Sequence, residues 1–159
     1  MRGLSVGVVV FSFLVALLLA PAAQASMHEV SGSFEPTEGP FDIFVHFDDW
    51  DNQIITQRWE FAFTGTFEGI AFVHQMIVIE NDTGKWEGLD AVMFTGTVDG
   101  ESCRWYGLNE WTVVDGFAVG KWEIFIGTRG SANLEGEGTF VTDFETGVGT
   151  LLGYIEFDD

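Results

Sequence analysis

Three histidines are the side chains in this sequence best suited to move protons or bind a metal ion. His28, His46 and His74 are too widely spaced for the two-histidine helix of a metalloenzyme, and only His74 lies in a strand-like run. The residues two positions away from it, Phe72 and Met76, are apolar. An imidazole on this side could line an interior and carry a proton or hold a ligand; the alternative is a hydrogen-bonded histidine of the core or of a sheet face.

A segment in which a cation alternates with aromatic rings forms the second candidate group. In the run 103–106, Arg104 is followed directly by the aromatic residues Trp105 and Tyr106. If Arg104 points inward, its guanidinium can hold an anionic group such as a carboxylate; otherwise it is a surface cation that pairs with nearby acids. Glu110 has the same two interpretations, and together with His74 it could transfer protons in an isomerase.

The densest acidic stretch is the third candidate. Asp48, Asp49 and Asp51 surround Trp50, and closely spaced oxygen ligands are what Ca²⁺ prefers. The stretch lacks the glycine and the distal glutamate of an EF-hand loop, so a solvated connection between strands is the alternative. The sequence predicts no other metal site.

Motifs that would assign a reaction are missing from the sequence. It contains no Gly-x-Ser-x-Gly elbow, no His-Glu-x-x-His, no phosphate-binding loop and no dinucleotide fingerprint. We therefore predict no cofactor and assign no catalytic residue, and the sequence favours a binding protein over an enzyme.

The elements that must position these side chains are β-strands. The run 56–67 alternates with a period of two, which places Trp59 and Phe63 on its apolar side and adds them to the predicted ligand-binding residues. The run 70–80 is apolar on both sides, as in a strand that is central or covered on its outer face. The predicted strands are 29–35, 56–67, 70–80, 88–98, 102–114, 117–128, 138–142 and 147–157. Their short connections predict an antiparallel sandwich or an up-and-down barrel.

The N-terminal residues have the features of an export signal. Arg2 precedes an uncharged apolar stretch at 4–19, and small residues lead to a cleavage site after Ala25. We expect a signal peptide at 1–25 and one β-domain at 26–159, secreted or periplasmic, with no stable membrane insertion after cleavage. A retained anchor is the alternative, but the apolar run is shorter than the about 20 residues of a spanning helix. Because Cys103 is the only cysteine, an intrachain disulfide is excluded.

The composition is strongly acidic. The formal net charge is −19, and without the segment that contains Arg2 it is 5 − 25 = −20. Such a surface repels nucleic acid, because no basic stripe is present to replace the counterions. We expect no nucleic-acid partner, and interpret the acidity as a contribution to solubility.

Glycine-rich segments carry a resemblance to a known fold family. Phe-Thr-Gly-Thr-Phe-Glu-Gly at 63–69 is echoed by Phe-Thr-Gly-Thr-Val-Asp-Gly at 94–100, and Gly-Ser-Ala-Asn-Leu-Glu-Gly-Glu-Gly-Thr-Phe follows at 130–140. This pattern resembles an uncharacterised family related to the allene oxide cyclase-like and dirigent-like β-barrels, over about residues 61–154. The resemblance implies a single eight-stranded antiparallel barrel whose centre can hold a small apolar or aromatic molecule. The acid, amide and proline constellation of the plant cyclases has no match here, so no catalytic residue is carried over.

Three functions follow from these observations. The first is an exported barrel that binds a small apolar or aromatic ligand, and an interior filled by Phe and Trp would argue against it. The second is an isomerase or cyclase that uses the same cavity and requires His74 and Glu110 to face it. The third is a non-catalytic interaction module that forms a homo-oligomer.

Overall fold

A computed structural model describes residues 26–158, and these residues form β-structure without a helix. The strands are β1 (Ser26–Phe47), β2 (Gln53–Gly65), β3 (Phe67–Ile79), β4 (Trp86–Val98), β5 (Glu101–Val114), β6 (Phe117–Arg129), β7 (Ala132–Asp143) and β8 (Gly149–Phe157). No helix in this part of the chain is long and apolar enough to cross a membrane. The predicted signal peptide at 1–25 lies outside the described residues.

The eight strands form a closed barrel in sequence order. Each strand pairs antiparallel with the next one along the chain, and β8 pairs with β1 to close the ring. Of the two architectures that the sequence allowed, the up-and-down arrangement is therefore the one observed. Closure gives β2 to β8 partners on both sides over most of their length, so that, of the described strands, only the long first one retains an unpaired edge.

Two of the predicted short connections are tight turns. Both residues of Asp99-Gly100 and both residues of Asp115-Gly116 have positive φ angles, between 51° and 85°. A two-residue hairpin turn of type I′ requires positive φ at both of its central positions. The β2–β3 hairpin differs from the prediction, because the chain reverses at Thr66 and not at 68–69. Residues 68 and 69 instead lie inside β3, where they pair with β4.

The first strand is much longer than predicted. It spans 22 residues, while the sequence indicated only 29–35. Its first part, through Phe34, pairs with β8, whereas the part beyond Phe34 pairs with β2 alone. Three register shifts occur between Pro36 and Phe44. The strand therefore continues through the two prolines by means of bulges, at an edge where a missing N–H is tolerated.

Side chains from one end of the barrel form a solid core. Phe94 stacks on Trp105 with ring centroids 5.3 Å apart, and Phe67 meets Phe94 edge-on at 5.5 Å. Around these rings lie the buried aliphatic residues Val30, Val98, Leu134 and Ile155. This end, which also carries the turns after β2, β4 and β6, is therefore closed by packing.

The single cysteine belongs to this closed end. Cys103 is 2% exposed and unpaired. Burial raises the pKa of its thiol to about 12, and the nearby positive charge of Arg129 only partly offsets this. The thiol therefore stays protonated and behaves as a small apolar side chain.

Candidate functional site

A cavity of about 190 Å³ lies inside the barrel, beyond the packed end. It extends from Phe67 and Trp105 toward the β7–β8 loop at the opposite end of the barrel. Its aromatic lining residues are Phe34, Trp59, Phe61, Phe63, Phe67, Trp105, Trp111, Trp122, Phe140 and Phe144. The interior is thus only partly filled by the large aromatic side chains, and a space of the size of a small organic molecule remains.

Glycines on neighbouring strands make room for two of the four tryptophans in the cavity wall. A Cβ at Gly88 would lie 1.9 Å from the Trp111 ring, and one at Gly138 would lie 2.6 Å from the Trp122 ring. The Trp122 Nε1 also donates to the Leu152 carbonyl oxygen at 3.2 Å. Both indoles therefore lie close against the barrel wall, where a larger residue than glycine would displace them.

A row of polar side chains crosses four adjacent strands on one side of the cavity. Gln57 on β2, Gln75 on β3, Asp90 on β4 and Asn109 on β5 are consecutive cross-strand neighbours. All four line the cavity. Gln57 Nε2 donates to Gln75 Oε1 at 2.6 Å, and Trp111 Nε1 donates to Asp90 Oδ1 at 3.0 Å. The apolar cavity therefore has one hydrogen-bonding side.

Asp90 is the central member of this row. It is 6% exposed, and no ion pair to it is formed within residues 26–158. Burial raises its pKa to about 6, although hydrogen bonds with Trp111, Gln75 and Asn109 favour the carboxylate and oppose the rise. Near neutral pH the cavity therefore contains a buried negative charge that is solvated only by neutral donors.

One buried polar atom near the packed end of the barrel has no partner in the described chain. The Nε1 atom of Trp105 is buried without a hydrogen-bond acceptor among these residues. A buried N–H without an acceptor is unfavourable.

The β7–β8 loop covers part of the open end. Asp143 Oδ1 accepts hydrogen bonds from the backbone N–H of Glu145 and of Thr146 and from the Thr146 hydroxyl, at 2.8–3.1 Å. These bonds lower the Asp143 pKa. The next residue, Phe144, packs its ring 5.2 Å from that of Trp86 and donates its N–H to the Gly116 carbonyl oxygen at 3.0 Å. The loop is thus fixed on both sides of the ring that it presents to the cavity.

Two of the six residues predicted to bind a ligand line the cavity. Trp59 and Phe63 both face inward on β2, as the alternation of that strand predicted. They belong to a continuous aromatic wall, in which Phe63 stacks on Phe34 at 5.4 Å and Trp59 lies 6.1 Å from Phe61. Ligand binding by these residues stays a prediction.

His74 does not line the interior. On β3 the buried side chains are those of Ala71, Val73 and Ile77, so His74 lies on the outer face and is exposed. Phe72 and Met76 are on the same outer face and are 48% and 39% exposed. The apolar side that contains His74 is therefore the outer side of the barrel.

Arg104, Tyr106 and Glu110 also lie on the outer surface. Along β5 the buried positions are Cys103, Trp105 and Trp111, and the three predicted residues alternate with them. The inward orientation that would have let Arg104 hold an anionic ligand is therefore wrong. The pairing of His74 with Glu110 in one cavity is wrong for the same reason.

The acidic stretch near Trp50 forms the β1–β2 turn. The Asp48 carboxylate accepts hydrogen bonds from the backbone N–H groups of Trp50 and Asn52 and from Asn52 Nδ2, at 2.9–3.0 Å. Within residues 26–158, Asp48, Asp49 and Asp51 do not converge on a metal-binding arrangement. Asp48 thus organises the turn, which agrees with a solvated connection between strands.

The sequence contains a signal for the most informative residue of the site. Asp90 has the same strand parity as Val92 and Phe94, which are buried, and this parity is the signal that would have placed it inside. Gln75 and Asn109 then follow as its neighbours, because the register of β3, β4 and β5 brings them alongside.

One solved structure supports the fold without assigning a function. It is a protein of unknown function from the DUF3224 family of Shewanella oneidensis MR-1, with a TM-score of 0.65 and 15% sequence identity. The alignment covers 84% of this chain and 99% of that chain. No family model matches the sequence, and no curated protein matches it. The likeness is therefore one of fold, with a protein from an uncharacterised family.

Proposed function

We propose that this protein is an exported, acidic β-barrel that binds a small apolar or aromatic molecule in its interior. The observation that carries the proposal is the cavity of about 190 Å³, with aromatic walls and one polar side. A preformed apolar cavity with a few convergent polar groups is the usual form of a small-molecule site. A cavity of about 150 Å³ in another protein accepts benzene, so the space here fits a ligand with one ring.

Export and family relationship are parts of the same proposal. Export rests on the charged start, apolar stretch and small-residue site in residues 1–25. The relationship to allene oxide cyclase-like barrels is supported by the ring of eight antiparallel strands and by the glycine-rich segment at 130–140, which leads into and forms most of β7.

The other two functions have weaker support. The isomerase that required His74 and Glu110 in one cavity is removed by their outward orientation. Formation of a homo-oligomer is supported by an exposed apolar row of Phe72, Met93 and Tyr106, which are cross-strand neighbours on β3, β4 and β5. Sedimentation as a monomer at high concentration would remove that function.

Binding can be tested by filling the cavity. Ala118 is buried and lines it, so Ala118→Phe should occupy part of the space and abolish binding of toluene or benzyl alcohol. Ala91 on the outer face of β4 is exposed, and Ala91→Phe adds the same volume outside the barrel. Ligand-induced changes in tryptophan fluorescence and in the melting temperature measure binding.

We expect saturable binding to the wild type and to Ala91→Phe, and none to Ala118→Phe. Circular dichroism and cooperative thermal unfolding establish that each variant is folded, and Val73→Phe is a second cavity-filling variant on another strand. If no small aromatic molecule binds to the wild type, or if both filled variants bind as the wild type does, the proposed function is wrong.

A further inference from the structure

The charge of the cavity restricts its ligand more than its shape does. The ionisable side chains that line it are Asp90, Asp143 and Glu145, all acids, and within the described chain no Lys, Arg or His lines it. The whole chain also has a net charge of −19, which lowers the local concentration of anions and raises that of cations. An anionic ligand is therefore disfavoured both in the solvent around the protein and inside the cavity.

Asp90 provides the point at which a cation would be held. Its carboxylate is almost fully buried, has no cationic partner in residues 26–158 and accepts a hydrogen bond from the neutral indole of Trp111. A carboxylate can accept several hydrogen bonds, and a buried charge is stabilised most effectively by an opposite charge. A ligand ammonium group would supply both the donors and the compensating charge.

The remaining walls suit the rest of such a ligand. Trp111, which donates to Asp90, and Trp122, which is a cross-strand neighbour of Asn109, bring two indoles close to the polar row. Aromatic rings attract organic cations through their negative faces, and they also pack well against apolar groups. Carboxylate and aromatic rings together form the usual environment for an alkylammonium group.

We propose that the cavity binds a small organic ammonium ion that carries an apolar or aromatic body, with the ammonium on Asp90 and the body between the aromatic walls. This inference rests on the proposed ligand-binding function and specifies the ligand's chemical class. A metal ion does not fit these observations as well, because the described residues provide no cluster of three or more ligating His, Cys, Asp or Glu side chains.

The test compares three ligands of similar shape that differ in charge: benzylamine, benzyl alcohol and benzoate. Their affinities are measured by calorimetry at neutral pH, where the amine is cationic and benzoate is anionic. We expect benzylamine to bind about tenfold or more tightly than benzyl alcohol, and benzoate to bind more weakly than either. In Asp90→Asn the affinity for benzylamine should fall to that for benzyl alcohol, while benzyl alcohol should bind as to the wild type.

The matched control removes the same charge elsewhere. Asp82 lies exposed in the β3–β4 turn, so Asp82→Asn removes the same single negative charge and should keep the preference for benzylamine. If the Asp82 variant loses the preference as fully as the Asp90 variant, the overall charge selects the cation and the inference is wrong.

The remaining outcomes separate this inference from the proposed function. Equal binding of benzylamine and benzyl alcohol to the wild type would overturn the ligand class but leave the apolar binding site. An unchanged affinity for benzylamine in a folded Asp90→Asn would overturn the role of Asp90. Absence of binding by all three molecules would overturn both proposals.

Discussion

At the scale of single residues, Asp90 couples the cavity to the stability of the barrel. Its pKa is raised to about 6 in the folded protein, mainly by burial, while an unfolded aspartate titrates near 3.9. Below about pH 4 both states hold the proton, and Asp90 adds no penalty. Between about pH 4 and pH 6 only the folded state holds the proton, so the free energy of unfolding decreases as the pH rises through this window.

We therefore predict that Asp90→Asn gains stability relative to the wild type as the pH rises. The difference in free energy of unfolding between the two proteins should change by about 3 kcal/mol from pH 4 to pH 7, in favour of the variant. Urea unfolding at several pH values measures it, and the other acids cancel in the comparison because both chains have them. A difference that stays constant across this range would contradict the buried, raised pKa.

The same residue shows where sequence-based prediction reaches its limit. In β2, apolar and polar residues alternate, and this placed Trp59 and Phe63 inside. In β3, both sides are apolar, so periodicity alone gave no reason to place His74 on the outer face. Asp90 shares the inward parity of its strand, but charged residues are rarely buried. The sequence therefore gave no clear reason to place its side chain inside the barrel.

At the scale of the elements, the β7–β8 loop determines how the cavity meets the solvent. One carboxylate oxygen, Asp143 Oδ1, accepts three hydrogen bonds within the loop. Phe144 is held between this turn and the rings of Trp86 and Trp111, whose centroids are 5.2 and 5.8 Å from its own. The order of the loop and the position of the ring therefore depend on each other.

We predict that Asp143→Ala loosens this loop and speeds ligand exchange while the barrel remains folded. Backbone amides of Thr146 and Val148 should exchange hydrogen about tenfold faster, because the bonds that fix the turn are lost. Glu145→Ala is the matched control, since the Glu145 backbone N–H still donates to Asp143 after the side chain is removed. Equal exchange rates in both variants would show that Asp143 does not hold the loop.

The elements themselves were largely predictable, and the exceptions have physical causes. All eight strands were located, because tight turns with Asp and Gly separate runs of β-forming residues. The length of β1 was not predictable from the sequence. Prolines such as Pro36 and Pro40 normally end a strand, whereas here they lie within the bulged edge of β1. Closure of the ring was also not determined by the residues alone, since it depends on pairing between the first and last strands.

At the scale of the whole molecule, a barrel with an apolar and aromatic interior carries an excess of negative charge. The formal net charge of −19 includes only six basic residues. Within residues 26–158, three of these form ion pairs, all with acids whose side chains are about half exposed: Arg58 with Asp42, Lys85 with Glu87, and Arg129 with Asp99 and Glu101. Surface ion pairs contribute little to stability, so repulsion among the acids is only weakly offset.

We predict that salt stabilises this protein near neutral pH. Raising the ionic strength from about 0.01 M to 1 M shortens the screening length from about 30 Å to 3 Å and weakens the repulsion more in the compact folded state. The melting temperature in sodium chloride should rise by roughly 3–6 °C, equivalent to about 1 kcal/mol for a domain of this size. At a pH close to the sequence pI of about 4.1, where the net charge vanishes, the same salt should have little effect. A melting temperature that falls with salt at neutral pH would mean that ion pairs such as Arg58 with Asp42 outweigh the repulsion.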